Sequence, residues 1–397
     1  MRAPALPSLL RVPPWLLAAA LALIWLAVAP NTPDLAAQAY RAQLFAEQGF
    51  SVWDGFWYGG HHLPGYSLLF PPLGAIVGPR PVGVLTAIGS TLLFDRLATA
   101  HFGQGARWGT RWFAAASVAD LCIGRLTFSL GVFVGLAALL LWQRGHRRTA
   151  GLAAAACAAA SPVAGAFLAL AAAAVLLSRV PELPWSSATL RALRADRHAR
   201  AACLVAGGST AMVIFLAVAF PEGGRQPFAV YAALAVVACA VALVVVVDPR
   251  ERALRAGAAL YAVAGVLSFA LATPMGSNVT RLGATFAGPL LVCVCAGHRP
   301  DARRRNVLLG IGVALWCWQW YAPAREIGTS VTDPSTQASY YTPLIQQLRA
   351  RGPLTGRVEG PVHAVALGGR PSGLQGPAGP GLADAAGYQA QPALPAP

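Results

Sequence analysis

The side chains best suited to chemistry gather in one stretch. From Ala29 it reads APNTPDLAAQAYRAQLFAEQGFSVWDGFWYGGHHLPGYSLLFPPLG, and it contains Asp34, Tyr40, Arg41, Asp54, Trp57, Tyr58, His61, His62 and Tyr66. A carboxylate such as Asp34 can take the proton of an attacking hydroxyl, and a nearby arginine can neutralise an anionic leaving group. Asp34 follows Thr32-Pro33 and opens a helical pattern through Leu35, Ala39 and Leu44. An N-cap, its oxygen accepting backbone N–H groups, is therefore an equally natural role for it. Trp53, Trp57 and Tyr58 suit either a substrate surface or an aromatic belt at a membrane interface. His61 and His62, with Asp54 seven positions before His61, are ligand types for a metal. Successive side chains rarely point at one ion, however, and Gly59-Gly60 and Pro64-Gly65 speak for a tight, shaped loop.

Three further residues stand outside this stretch. Asp120 and Arg125 flank Gly124 at the end of an apolar run, where an ionisable group is costly unless it has a partner or faces a cavity. A structural pair and the wall of a phosphate cavity fit equally. Arg281 directly precedes another apolar run and is the first choice among the arginines expected on the outer side, ahead of Arg125, Arg225 and Arg41, because the outer loops are nearly free of basic residues. A snorkelling interface anchor is the alternative for it.

The elements that must position these residues are written in the composition. Of 397 residues, 56% are hydrophobic and 11% charged, and the apolar residues form long runs separated by arginine-rich connectors. A helix needs about 20 apolar residues to cross a bilayer, and backbone facing lipid must satisfy its own hydrogen bonds. The expected class is an all-α polytopic membrane protein. The net charge of +15 is carried by arginines beside apolar runs, with no lysine, which argues against nucleic acid as a partner. The seven cysteines lie in or beside apolar runs and read as small core residues rather than zinc ligands or a disulfide framework.

Arginine clusters at 96–111, 144–148, 179–200, 250–255 and 299–305 mark cytoplasmic loops. They frame eleven expected spans: 15–29, 82–97, 112–123, 126–142, 150–160, 163–178, 202–220, 228–247, 257–272, 283–297 and 307–322. The N-terminus is then cytoplasmic, with a retained first span rather than a cleaved signal. Residues 30–80 form a long first extracytoplasmic loop in which the Tyr66–Val77 run, with Pro71-Pro72, is a re-entrant or surface-lying helix. Ser161-Pro162 breaks one apolar run into two short helices. The expected domains are a transmembrane domain over 1–322, a short extracytoplasmic segment over 323–363 with a strand near Gly356, and a low-complexity tail over 364–397.

An acidic residue just after the first span, a long first outer loop with short helices, a Tyr/His/Pro-Gly-rich stretch ending in a Pro-Pro-Leu helix, and short central hairpins resemble the integral membrane glycosyltransferases of the GT-C fold. That group includes polyprenyl-phosphate-dependent mannosyl- and arabinosyltransferases and similar actinobacterial membrane proteins. The likeness covers about residues 10–180 and is fainter beyond. It implies a plasma-membrane enzyme that moves a sugar, with inversion, from a polyprenyl phosphate to an envelope glycan, lipid or protein. Asp34 matches the position of the general base. No cofactor is firmly implied, although a divalent cation is compatible. Two features depart from the group: Asp34 has no second acid beside it, and the C-terminal segment is short. The rival readings are a transporter or lipid flippase, disfavoured because the spans after residue 200 are almost free of the charged groups that would line a midplane path, and a noncatalytic assembly protein.

Overall fold

The computed structural model describes residues 12–351 except 56–59, 180–190, 192–194, 222–223, 297–301 and 335–337. Trp57, Tyr58, the expected strand near Gly356 and the tail over 364–397 therefore lie outside the described residues. Among the described residues the chain is all-α apart from one hairpin of two two-residue strands. Fourteen α-helices follow in order among the described residues. They are α1 (Pro14–Val28), α2 (Pro33–Gln48), α3 (Phe70–Val77), α4 (Pro79–Phe102), α5 (Arg107–Ile123), α6 (Leu126–Gln143) and α7 (Arg147–Ala160), then α8 (Pro162–Arg179), α9 (Arg197–Ala219), α10 (Val230–Val246), α11 (Arg252–Ala270), α12 (Thr280–Cys295), α13 (Ala302–Thr332) and α14 (Thr342–Ala350). The hairpin pairs β1 (Trp53–Asp54) with β2 (His61–His62), placing Asp54 opposite His61.

Each of the eleven expected spans is a helix of this bundle. Among the described residues seven helices are long and apolar enough to cross a membrane, α1 and α10 are apolar but shorter, and α5 and α7 fall in neither group. Aliphatic side chains on their outer faces, such as Ile24 (60% exposed), Leu85 (62%), Val218 (76%) and Val245 (76%), contact lipid rather than protein in a multi-pass membrane protein. Inside, α4 to α9 and α12 meet around Phe94, Phe113, Phe128 and Phe167. Between the rings, contact is made by small residues, including Ala154, Ala158 and Ala172, which let backbones approach where lipid offers no hydrophobic drive. A second cluster joins Trp25, Leu35, Phe70, Leu121 and Leu126. A third, with Phe228, Val236 and Tyr261, ties α10 and α11 to the start of α12.

Contacts between distant segments mark two ends of the bundle. At one end Arg111 donates to the Val12 carbonyl (2.8 Å), and His101 lies 3.4 Å from Glu251. These contacts bring the connectors at 96–111 and 250–255 to that end. The other end carries α2, α3 and the hairpin, and its geometry is set by a clamp. Arg80 donates to the carbonyls of Ala29 (3.0 Å) and Pro30 (3.1 Å) and to Asn31 Oδ1 (3.1 Å). Ala29, at φ 49°, is the one non-glycine with positive φ among the described residues, so this elbow holds a conformation that an L-residue adopts at a cost. The α1–α2 turn is thereby fixed, and with it the start of α2.

Two expectations need correction. Asp34 is not a cap: Thr32 occupies the N-cap position, Pro33 follows, and Asp34 sits in the first turn without a capping hydrogen bond. There its charge still complements the helix dipole. The last span does not end at residue 322, because α13 runs through Pro323 to Thr332. A proline forfeits one backbone bond, a loss that neighbouring helices can absorb in a membrane bundle.

Gly124 closes α5 at φ 85°, and a side chain there would strike the Leu35 amide and lie 2.7 Å from Thr32 Oγ1. Gly103 has a similar φ of 79° but open space around it. Gly124→Val is therefore expected to destabilise the protein by about 3 kcal/mol and Gly103→Ala by about 1 kcal/mol, read as unfolding in detergent micelles. Equal losses would show that the α2–α5 contact is unimportant.

Candidate functional site

Four of the singled-out residues converge at the α2 end of the bundle. Asp34, Asp120, Arg125 and Arg281 line one cavity of about 880 Å³, walled by the first turn of α2, the last turns of α5, the starts of α10 and α12, and the stretch of α13 around Pro323. That volume lies within the range of about 300–1,000 Å³ typical of small-molecule sites.

Each residue arrives there for a local reason. Asp120 is 6% exposed in the last turn of α5, and Gly124 reverses the chain so that Arg125, at the start of α6, returns towards it. The closest approach, Arg125 Nη1 to Asp120 Oδ1, is 3.5 Å. The other carboxylate oxygen accepts a hydrogen bond from Thr285 Oγ1 of α12 at 3.1 Å. Both oxygens of a buried anion are thus engaged, and the pair expected from the sequence is present.

Arg281, half-buried in the first turn of α12, is differently placed. Its Cζ lies 5.6 Å from the centre of the Phe128 ring, over the ring face in a cation–π contact. Its Nε is buried without a hydrogen-bond partner, and among the described residues Arg281 forms no ion pair. With Asp120 occupied by Arg125 and Thr285, the cavity presents Arg281 as a cation not consumed by an ion pair among the described residues. Asp34 likewise makes no side-chain hydrogen bond or ion pair among the described residues. An arrangement of this kind can bind an anionic group at Arg281 and present a carboxylate to a neighbouring hydroxyl.

The α13 extension adds Arg325 and Glu326 to the lining, neither singled out in advance. Their signal was a face: Leu315, Gln319, Pro323 and Ser330 are buried at helical spacing, so the helix continues past the proline. Midway along α13, Gln319 accepts from Trp112 Nε1 (2.8 Å) and donates to the Ala284 carbonyl (2.9 Å), which satisfies a polar side chain deep in the bundle. The cavity wall is therefore braced on α5 and α12.

The rest of the first loop does not line this cavity. Tyr40, Arg41, Asp54, His61, His62 and Tyr66 belong to the α2–hairpin layer beside it. His61 Nε2 lies 3.3 Å from Arg41 Nη2, and His62 Nδ1 lies 3.1 Å from the Pro221 carbonyl. The two imidazoles are directed to different partners, as neighbours along a strand must be. Among the described residues no three His, Cys, Asp or Glu side chains are grouped to hold a metal ion. Arg225 is exposed and also outside the cavity lining.

The Asp120–Arg125 pair yields a graded expectation. Asp120→Leu leaves Arg125 uncompensated and costs about 3 kcal/mol, whereas the double variant Asp120→Leu/Arg125→Met recovers most of the loss. Denaturant unfolding in micelles would check this, and additive losses would mean that the pair is not coupled. Compared with known proteins, the chain matches no family model, and neither a curated protein nor a solved structure is significantly similar to it.

Proposed function

We propose that the protein is a membrane glycosyltransferase of the GT-C kind, working on the extracytoplasmic face of the plasma membrane with a polyprenyl-phosphate sugar as donor. The observation that carries the reading is the meeting of Asp34 with Arg281, a cation without an ion pair among the described residues, in a cavity at the end of the bundle opposite the arginine-rich connectors. Arginine-rich connectors favour the cytoplasm, so the opposite end is extracytoplasmic.

In this mechanism Asp34 takes the proton of the acceptor hydroxyl as the oxygen attacks the anomeric carbon. The bond from that carbon to the lipid phosphate breaks with inversion, and the phosphate leaves with the electron pair. Arg281 neutralises the charge that develops on it, while Asp120 keeps Arg125 in position at the cavity wall. The acceptor is an envelope glycan, lipid or protein. A lone carboxylate matches the single proton that such a displacement releases.

The test is transfer of label from polyprenyl-phosphate sugars to envelope fractions by purified protein. Asp34→Asn is expected to lower the rate by about 10²–10⁴-fold and Arg281→Gln by about 10²–10³-fold. A noncatalytic assembly role predicts instead that Asp34→Asn is silent in cells while disruption of the 30–80 loop is not. Absence of transfer by the unaltered protein, together with unchanged envelope composition in Asp34→Asn cells, would end the proposal.

A further inference from the structure

Arg41 is the most deeply buried arginine described, at 5% exposure, and it lies outside the cavity that holds Asp34. Its Cζ stacks 4.1 Å from the centre of the Tyr66 ring, and Nη2 lies 3.3 Å from His61 Nε2. Tyr66 is itself fixed, its hydroxyl accepting from Gln38 Nε2 at 3.0 Å. Nε and Nη1 of Arg41 are buried with no hydrogen-bond partner, and Arg41 makes no ion pair with a carboxylate among the described residues. A guanidinium carries five N–H donors, and leaving them unmet in a buried place is costly. Something other than the described chain is needed to meet them.

Arg41 lines a notch between α2, the segments that flank the hairpin and α3, and none of the notch's residues lines the larger cavity. The notch has about 30 Å³ of room. One water needs roughly 10–15 Å³ on this measure, so an oxygen or two of an anion fits beside Arg41 while the rest of the group stays in the mouth. Ser67 Oγ accepts from the Phe70 amide (3.1 Å), which leaves its own O–H to donate into the notch. The O–H of Ser51 is already committed to the Trp53 carbonyl (2.9 Å). Around the mouth stand Phe45, Phe50, Pro71 and Pro72, and α3 continues the apolar surface through Leu73 (38% exposed) and Ile76 (80%).

We propose that this notch is a second anion site, distinct from the central cavity, in which Arg41 and Ser67 bind a phosphate group whose substituent lies along the apolar mouth and α3. The phosphate comes either from a phospholipid headgroup or from free phosphate. The assignment does not rest on the transferase reading.

The test is the unfolding temperature of the full chain, exchanged into phosphate-free maltoside detergent. Inorganic phosphate or dihexanoyl phosphatidylglycerol is added, with sodium chloride matched for ionic strength as the control. Saturating ligand should raise the unfolding temperature of the unaltered protein by about 5 °C. Arg41→Gln should lose the shift and Arg281→Gln should keep it. Ser51→Leu, which plugs the mouth without touching the guanidinium, should also lose the shift and serves if Arg41→Gln does not fold. A rise with phosphatidylglycerol alone identifies the lipid headgroup as the source, and a rise with both identifies phosphate itself; either result supports the site. No rise with either ligand, a rise that persists in Ser51→Leu, or one abolished only by Arg281→Gln would overturn it.

Discussion

A carboxylate in the last turn of an apolar helix has to find its compensation inside the bundle, and Asp120 finds it on two sides. Arg125 reaches it from the far side of a glycine turn, and Thr285 donates to it from a helix more than 160 residues away in sequence. In a low-dielectric interior an unmet charge of this kind would cost several kcal/mol. The contact therefore holds α5, α6 and α12 in one arrangement at the α2 end of the bundle. The rest of the cavity follows from it, because α13 packs against α5 and α12, and α2 packs over Gly124.

The same contact decides what the cavity can bind. Three arginines and three acids line it, which on a simple count would cancel. Pairing removes one charge of each sign, Asp120 with Arg125, and leaves Asp34 and Glu326 with the exposed Arg325 and with Arg281, which lies over the Phe128 ring with a buried Nε that has no hydrogen-bond partner. Asp34 is delivered by a different device, the Arg80 clamp on the strained Ala29 elbow. The site is thus assembled by two independent constraints, one at each edge, and the strain sits beside the chemistry rather than within it.

Much of this was legible in the sequence. Long apolar runs and arginine connectors located every bundle helix, since span length and loop charge are properties of local composition. Asp120 and Arg125 were readable as a pair because a glycine turn brings residues five apart together. Less legible was whatever depends on distant packing. Glu326 was missed because it lies past residue 322, the expected end of the last span, and the buried face shared with α5 and α12 carries α13 beyond that point. The histidines were visible as residue types, but their partners, Arg41 and the Pro221 carbonyl, are set by a hairpin register and a distant loop.

Asp34 and α13 line one cavity, and in the proposed orientation that cavity opens to the extracytoplasmic side. The most direct measurement is cross-linking in intact cells, with cysteines placed at 34 and 326 in an otherwise cysteine-free chain and a short, membrane-impermeant dithiol-reactive reagent. The account predicts efficient cross-linking of this pair and none for a control pair at 34 and 145. Failure of the 34–326 pair to cross-link, or its cross-linking only after the cells are permeabilised, would contradict it.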